Sequence, residues 1–122
     1  MNKEILDKLV VGTVQLGTAY GITNLKKKLP NKRNKLNFIN FMKKYKLNKF
    51  DTAPGYNIEK FLGRHYKNHK SKIIIYSKIP SLKNVKNKKK FIEYSIINSN
   101  IFLNKPVLKF FFHDTNDLNF MV

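Results

Sequence analysis

The sequence predicts an α/β fold in which four parallel strands alternate with three helices. Short apolar runs alternate along the chain with longer segments in which apolar residues recur at helical spacing. The short runs are apolar on both faces, which is typical of strands in a parallel sheet that is covered by helices. The chain has 122 residues, which is enough for one domain at most.

The predicted strands are the four short apolar runs, each followed by small or polar residues. They cover residues 9–11, 47–50, 73–76 and 107–112. The first strand ends at Gly12 and Thr13. The segment from there to Arg33 is predicted to be a long loop because it contains two glycines and a proline.

The three predicted helices lie between the strands, and each has one apolar stripe. Asn57 is predicted to cap the second helix, with Glu59 in its first turn. His65 and His69 lie near the polar end of that helix and are predicted to face solvent. The stripes are Phe38, Phe41, Met42 and Tyr45 in residues 34–46, then Ile58, Phe61, Leu62 and Tyr66, and finally Phe91, Ile92, Ser95 and Ile96 in residues 87–100.

The chain is strongly basic, with 25 Lys and Arg residues, 7 Asp and Glu residues and a formal net charge of +18. Such a charge is often the electrostatic footprint of a nucleic-acid binder. Only Arg33 and Arg64 are arginines, however, and the lysines are scattered beside 16 asparagines and 12 isoleucines. These three residue types share A/T-rich codons, so a biased genome composition accounts for their abundance. We therefore do not expect a nucleic-acid partner.

The composition excludes several further classes of protein. The 42% of hydrophobic residues exclude a disordered polycation. The absence of cysteine excludes disulfides, thiolate metal ligands and cysteine nucleophiles, and we predict no metal site. No apolar run approaches the roughly 18 residues that span a bilayer, and the amino terminus lacks a signal-peptide pattern. We expect a cytoplasmic protein with no membrane partner.

Three titratable residues stand directly after predicted strands. Asp51, Lys78 and His113 follow one another at intervals of 27 and 35 residues, about one strand and helix apart. Because the carboxyl ends of parallel strands meet at one edge of a sheet, these side chains are predicted to share a rim. Each residue alone could simply begin a loop. Three in register favour a functional site.

Short motifs coincide with these strand ends. They are Gly12-Thr13-Val14-Gln15-Leu16-Gly17, Asp51-Thr52-Ala53-Pro54-Gly55-Tyr56 followed by Glu59 and Leu62-Gly63, Ser77-Lys78, and Phe112-His113. In order and spacing they resemble the amino-terminal half of the aldo-keto reductase family, from about Leu9 to Asp114. The resemblance implies the first half of a (β/α)8 TIM barrel. Residues 12–24 are most similar to the bacterial branch found with sugar and surface-polysaccharide biosynthesis.

The resemblance also implies an activity, namely reduction of an aldehyde, ketone or sugar carbonyl with NADP(H) or NAD(H) as cofactor. Tyr56 would be the proton donor, and the ammonium of Lys78 would favour its phenolate. Asp51 would hold Lys78 charged, and His113 would orient the carbonyl. The implied catalytic residues are Asp51, Tyr56, Lys78 and His113, and the residues implied near the nicotinamide ribose are Gly12, Thr13 and Asp51.

The length of the chain corresponds to half of such a barrel, because a complete one takes about 250 residues. We therefore expect residues 1–122 to be a single partial domain of a truncated chain, with the activity of the isolated chain left open. Open strand edges and an exposed barrel interior predict either self-association or pairing with a separately encoded second half. The alternatives are a non-catalytic half-barrel remnant and a basic nucleic-acid-binding module.

Overall fold

A four-stranded parallel sheet organises the chain. The computed structural model describes residues 2–22, 24–68 and 72–120, so the prediction for His69 lies outside the described residues. The strands, in the spatial order β1-β2-β3-β4, are β1 (Val11–Gly12), β2 (Lys49–Asp51), β3 (Ile74–Ile79) and β4 (Lys109–Phe112). The predicted α/β class with four parallel strands is confirmed.

Strands β1, β2 and β3 each pair with the strand that follows in the sequence. Gly12 lies opposite Asp51, and Asp51 lies opposite Tyr76 in the next strand. Tyr76 in turn lies opposite Lys109. Because all four strands run in the same direction, the residues at their carboxyl ends share one edge of the sheet.

A long helix follows each of the first three strands, as predicted. The helices are α1 (Lys3–Leu6), α2 (Val14–Gly17), α3 (Lys32–Lys44), α4 (Glu59–Tyr66) and α5 (Lys88–Leu103). Two short 3₁₀ helices, Pro54–Tyr56 and Thr115–Phe120, follow β2 and β4. The segment predicted to be a long loop after β1 therefore begins with helix α2.

The starts of the long helices differ in how they are capped. Asn31 accepts a hydrogen bond from Asn34 N at 2.8 Å, and Asn87 accepts one from Lys90 N at 3.0 Å. The predicted cap of α4 at Asn57 was wrong. Asn57 has a left-handed φ of 55° and ends the preceding 3₁₀ helix, so α4 begins two residues later without a side-chain cap.

The apolar core packs helices α3, α4 and α5 against the sheet. In α3, the predicted stripe was only partly right, because Met42 is buried whereas Phe41 and Tyr45 are exposed. Ile39 is buried beside Met42, while the rings of Phe41 and Tyr45 contact each other at a tilt outside the core, with their centroids 4.6 Å apart. The buried core consists of Ile39, Met42, Phe50, Ile58, Leu62, Tyr66, Ile73, Ile75 and Leu103.

Helix α4 packs closely on α5 through Gly63. A Cβ atom at Gly63 would lie 2.1 Å from the carbonyl oxygen of Phe102 in α5, so this contact requires glycine. The buried residues of α5 are Ser95, Ser99 and Leu103, whereas the predicted stripe had placed three larger apolar side chains there. Small serine side chains suit this close approach of two helices.

Two titratable side chains of α4 are affected by burial. Glu59 is almost fully buried and accepts hydrogen bonds from Ser77 Oγ at 2.7 Å and Ser99 Oγ at 3.0 Å. Burial raises the pKa of its carboxyl, and the two hydrogen bonds offset part of that rise. His65, predicted to face solvent, is partly buried, with its ring 4.3 Å from that of Phe61. Desolvation and nearby cations lower the pKa of His65.

Candidate active site at the carboxyl edge of the sheet

The carboxyl ends of the strands bring the predicted site residues to one edge of the sheet. Asp51 is the last residue of β2, and His113 directly follows β4. Lys78 lies inside β3, which extends one residue past it, so the predicted end of this strand was wrong. The strand continues through two polar residues because each finds a partner. Ser77 donates to the buried Glu59, and Lys78 pairs with Asp51.

The ion pair between Lys78 and Asp51 is the central contact of the site. Lys78 Nζ lies 2.7 Å from Asp51 Oδ1 and also donates to the carbonyl oxygen of Thr52 at 3.1 Å. The side chains of Lys78 and Asp51 are 18% and 37% exposed, so solvent screens this pair less than a surface pair. The two contacts together hold the ammonium group at the edge of the sheet.

A short 3₁₀ turn brings Tyr56 to this ion pair. Pro54 is the first residue of the turn, where its fixed φ is compatible with helical geometry. The turn closes where Tyr56 N donates to the carbonyl oxygen of Ala53 at 3.0 Å. Lys78 Nζ lies 5.1 Å from the centre of the Tyr56 ring, which is within the range of a cation–π interaction.

A cavity of about 500 Å³ opens beside these side chains. Tyr56, Lys78 and His113 all line it, and Asp51 is joined to it through Lys78. The volume is in the range of cavities that bind small molecules. The structure thus brings three of the four predicted catalytic residues to one cavity and pairs the fourth with one of them.

The segment after β1 supplies a wall of the cavity that the sequence analysis did not predict. Thr18, Ala19 and Tyr20 line the side that this segment forms. The hydroxyl of Thr18 donates to the carbonyl oxygen of Val14 at 2.9 Å, and Gly21 turns the chain with a φ of 109°. An aromatic residue next to a glycine was the signal that could have identified this wall.

Gly12 and Thr13, the residues expected near a cofactor ribose, differ in exposure. Thr13 is fully buried, and both its backbone N and its Oγ1 donate to the carbonyl oxygen of Asp51 at 3.0 Å. It therefore holds the Asp51 backbone in place and offers no exposed side-chain atom, and its place near a cofactor ribose stays a prediction. Gly12 is exposed, and a Cβ atom there would meet nothing within 4 Å.

Residues 2–22, 24–68 and 72–120 contain neither a membrane-spanning helix nor a cluster of side chains that could hold a metal ion. No helix there combines the length and the apolar composition that crossing a bilayer requires. The same ranges contain no group of three or more His, Asp or Glu side chains placed to hold a metal ion.

Solved structures share this fold, whereas no protein-family model and no curated protein matches the sequence. One is the crystal structure of PA4992, described as "the putative aldo-keto reductase" from Pseudomonas aeruginosa, with a TM-score of 0.71 and 23% identity. Another, a "putative aldo-keto reductase" from the same organism, has a TM-score of 0.69 and 21% identity. Each match covers 92% of this chain, but only 45% and 44% of those chains.

The chain has the fold of half an aldo-keto reductase barrel. It spans less than half the length of the two structures that it matches. The predicted half of a (β/α)8 barrel is thereby confirmed as a fold. In this half barrel, Asp51, Tyr56, Lys78 and His113 lie at the carboxyl edge of the sheet, which is the edge where barrels of this type assemble their active sites.

Proposed function

We propose that the half barrel belongs to an oxidoreductase of the aldo-keto reductase family that uses NADP(H) or NAD(H) to reduce an aldehyde, ketone or sugar carbonyl. The observation that supports this most is the placement of one ammonium group. Lys78 Nζ lies 2.7 Å from Asp51 Oδ1 and 5.1 Å from the centre of the Tyr56 ring. A lysine that pairs with a carboxylate beside a phenol, at the wall of a cavity, suits proton donation to a carbonyl oxygen.

Tyr56 is the proton donor in this proposal. A carbonyl oxygen gains negative charge as the carbonyl is reduced, so it needs a proton donor nearby. The phenolate that remains after proton transfer is stabilised by the ammonium of Lys78. Asp51 keeps that ammonium oriented, since it holds Nζ on one side while the Thr52 carbonyl holds it on another.

His113 orients the substrate in this proposal. It is exposed, lines the cavity with Tyr56, and is anchored where its backbone N donates to Ile79 O at 3.1 Å. An imidazole at this wall can donate a hydrogen bond to the same carbonyl oxygen. Tyr20, on the wall formed by the segment after β1, offers an apolar surface to the rest of the substrate.

In this proposal, the nicotinamide dinucleotide lies at the ends of β1 and β2. Gly12 is exposed with open space in the direction of its missing side chain, and the Asp51 side chain is partly exposed beside it in the sheet. We assign the ribose contact to Gly12 and Asp51. The buried Thr13 holds Asp51 in position by donating a hydrogen bond to its carbonyl oxygen. When bound, the cofactor supplies the hydride. A complementary half barrel would provide the remainder of its binding site.

The test is the Tyr56→Phe substitution, introduced in the cells that make the protein. The variant and the wild type are both isolated from those cells, and NADPH oxidation is measured with a panel of aldehydes, ketones and sugars. We expect kcat to fall by about 10²-fold or more, because general acid catalysis typically contributes that much. Cofactor affinity should stay within a factor of about two. The matched control is Tyr94→Phe, since Tyr94 is exposed on α5. Equal turnover in the Tyr56→Phe variant and the wild type would contradict the proposal.

A further inference from the structure

Helix α2 lies against the turn that contains Tyr56 at Gly17. A Cβ atom built on Gly17 would lie 1.6 Å from the carbonyl oxygen of Tyr56 and 2.8 Å from its carbonyl carbon. It would also lie 3.2 Å from the carbonyl carbon of Asn57. All three are backbone atoms, so no side-chain rotation can relieve the overlap. Any other residue at position 17 must displace either α2 or the turn that contains Tyr56.

The amino-terminal end of α2 is held in place by buried hydrogen bonds. Thr13, which precedes the helix, is fully buried and makes two hydrogen bonds to the carbonyl oxygen of Asp51. Leu16 N donates to Thr13 O at 3.0 Å, and Thr18 N donates to Val14 O at 2.9 Å. A displacement of α2 would therefore break buried contacts to Asp51.

The turn that contains Tyr56 is held less firmly. It is closed by Tyr56 N donating to Ala53 O at 3.0 Å and by a longer bond of 3.3 Å from Asn57 N to Pro54 O. Gly55, in the middle of the turn, is exposed and has open space beside it. An added methyl group at position 17 is thus expected to move Tyr56 rather than α2.

We infer that Gly17 is a positioning residue for Tyr56, an inference that deepens the proposed function and rests on it for its catalytic consequence. Helix α2 acts as a spacer between two members of the site, since it contacts Asp51 through Thr13 and Tyr56 through Gly17. The absence of a side chain at position 17 sets how far the phenol stands from the ion pair. Gly17 itself touches neither the cavity nor the reacting atoms.

The direct test measures the environment of the Tyr56 ring in the full chain labelled with ¹³C-tyrosine. The Tyr56 resonance is identified as the one that Tyr56→Phe removes. We expect Gly17→Ala to shift it, and the matched control Gly63→Ala to leave it in place. Gly63 also packs against backbone atoms, but these belong to Phe102 in α5. Neither Gly63 nor Phe102 lines the cavity. An unshifted Tyr56 resonance in folded Gly17→Ala protein overturns the inference.

If Gly17→Ala does not fold, Thr13→Val replaces it. This variant removes the hydrogen bond from Oγ1 to the Asp51 carbonyl and keeps the shape of the buried side chain. It removes one of the two hydrogen bonds that hold this end of α2 to Asp51, so the Tyr56 resonance is expected to shift here as well. A resonance that stays at the wild-type position in this variant overturns the inference.

For protein that shows reductase activity, kcat is the second measurement. We expect Gly17→Ala to lower kcat by about 10²-fold, the loss that a misplacement of about 1 Å can cause, with cofactor affinity unchanged. Added to Tyr56→Phe, it should cause no further loss, because it acts through Tyr56. A further loss in that double variant contradicts the inference. Wild-type enzyme with no reductase activity would reject the proposed function instead, and the ring resonance would still decide the role of Gly17.

Discussion

Glu59 is a buried carboxyl whose hydrogen-bond partners are two serine hydroxyls. Because burial raises its pKa in the folded protein above the ordinary value of 4.5, folding takes up a proton between these two pKa values. The free energy of unfolding therefore increases as the pH falls through the pKa of the folded state. This gain is complete below about pH 4.5 and is lost as the pH rises again.

Glu59→Gln tests this linkage, since glutamine has nearly the same shape and no charge to desolvate. Relative to the variant, we expect the wild type to gain stability as the pH is lowered from neutral towards 4.5. The measurement is the free energy of unfolding from urea titrations at a series of pH values. Glu93→Gln, on the exposed side of α5, controls for the loss of one negative charge. A stability difference that does not change with pH would show that Glu59 is not responsible.

At the residue scale, the sequence predicted which side chains meet but not which are buried. Asp51, Lys78 and His113 could be placed on one edge because each stands at the end of an apolar run. The burial of Thr13 and Glu59 could not be predicted, because it depends on partners 38 and 40 residues away in the chain. Long-range hydrogen bonds of this kind leave no local pattern in the sequence.

An asparagine side chain caps the first turn of α3 and of α5, whereas α4 has no side-chain cap. Asn87 caps α5 by accepting a hydrogen bond from Lys90 N at 3.0 Å. Asn87→Ala leaves that backbone donor without its side-chain partner, and we expect a loss of about 1 kcal/mol in the free energy of unfolding. Asn87→Ser, which preserves an acceptor, should retain most of the stability. Equal losses in both variants, measured by urea titration, would argue against a capping role.

The elements themselves were largely predictable, and their details were not. Four apolar runs and three stripes sufficed for the order of strands and helices, because burial on a sheet imposes those patterns. The prediction of the face that α3 buries was partly wrong, since Phe41 and Tyr45 contact each other outside the core. Asn57 was wrongly predicted to cap α4, because asparagine is common at helix starts. Its left-handed backbone conformation, with which it ends the preceding 3₁₀ helix, cannot be recognised from the residue type alone.

Across the whole molecule, exposed large apolar side chains occur in many segments, including the first and the last of the three long helices. Phe41 is exposed on α3 and Tyr45 directly after it, and Tyr94, Ile97 and Ile101 are exposed on α5. Helix α4, which lies between them in chain order, contains no large apolar side chain of this kind in the part of the chain that the structure describes. Part of the exposed apolar surface therefore lies on α3 and α5, in a chain that covers 45% of the length of the first structure that it matches.

We expect this surface to make the 122-residue chain self-associate, with an average mass above 14.4 kDa in sedimentation equilibrium. Because each copy has a net charge of +18, added salt should strengthen the association by screening repulsion. Replacing Ile97 and Ile101 with serine should weaken it. Leu25→Ser, a change at another exposed apolar residue, is the control. Binding to nucleic acid would show the opposite dependence and weaken with salt.

The order of the strands has a further consequence for how the protein is made. Each strand pairs with the one synthesised just before it, and no connection skips a neighbour. A nascent chain can therefore add β2 to β1, β3 to β2 and β4 to β3 in the sequence in which they leave the ribosome. The contact between Asp51 and Lys78 joins two neighbouring strands, β2 and β3, and therefore requires no part of the chain that follows β3.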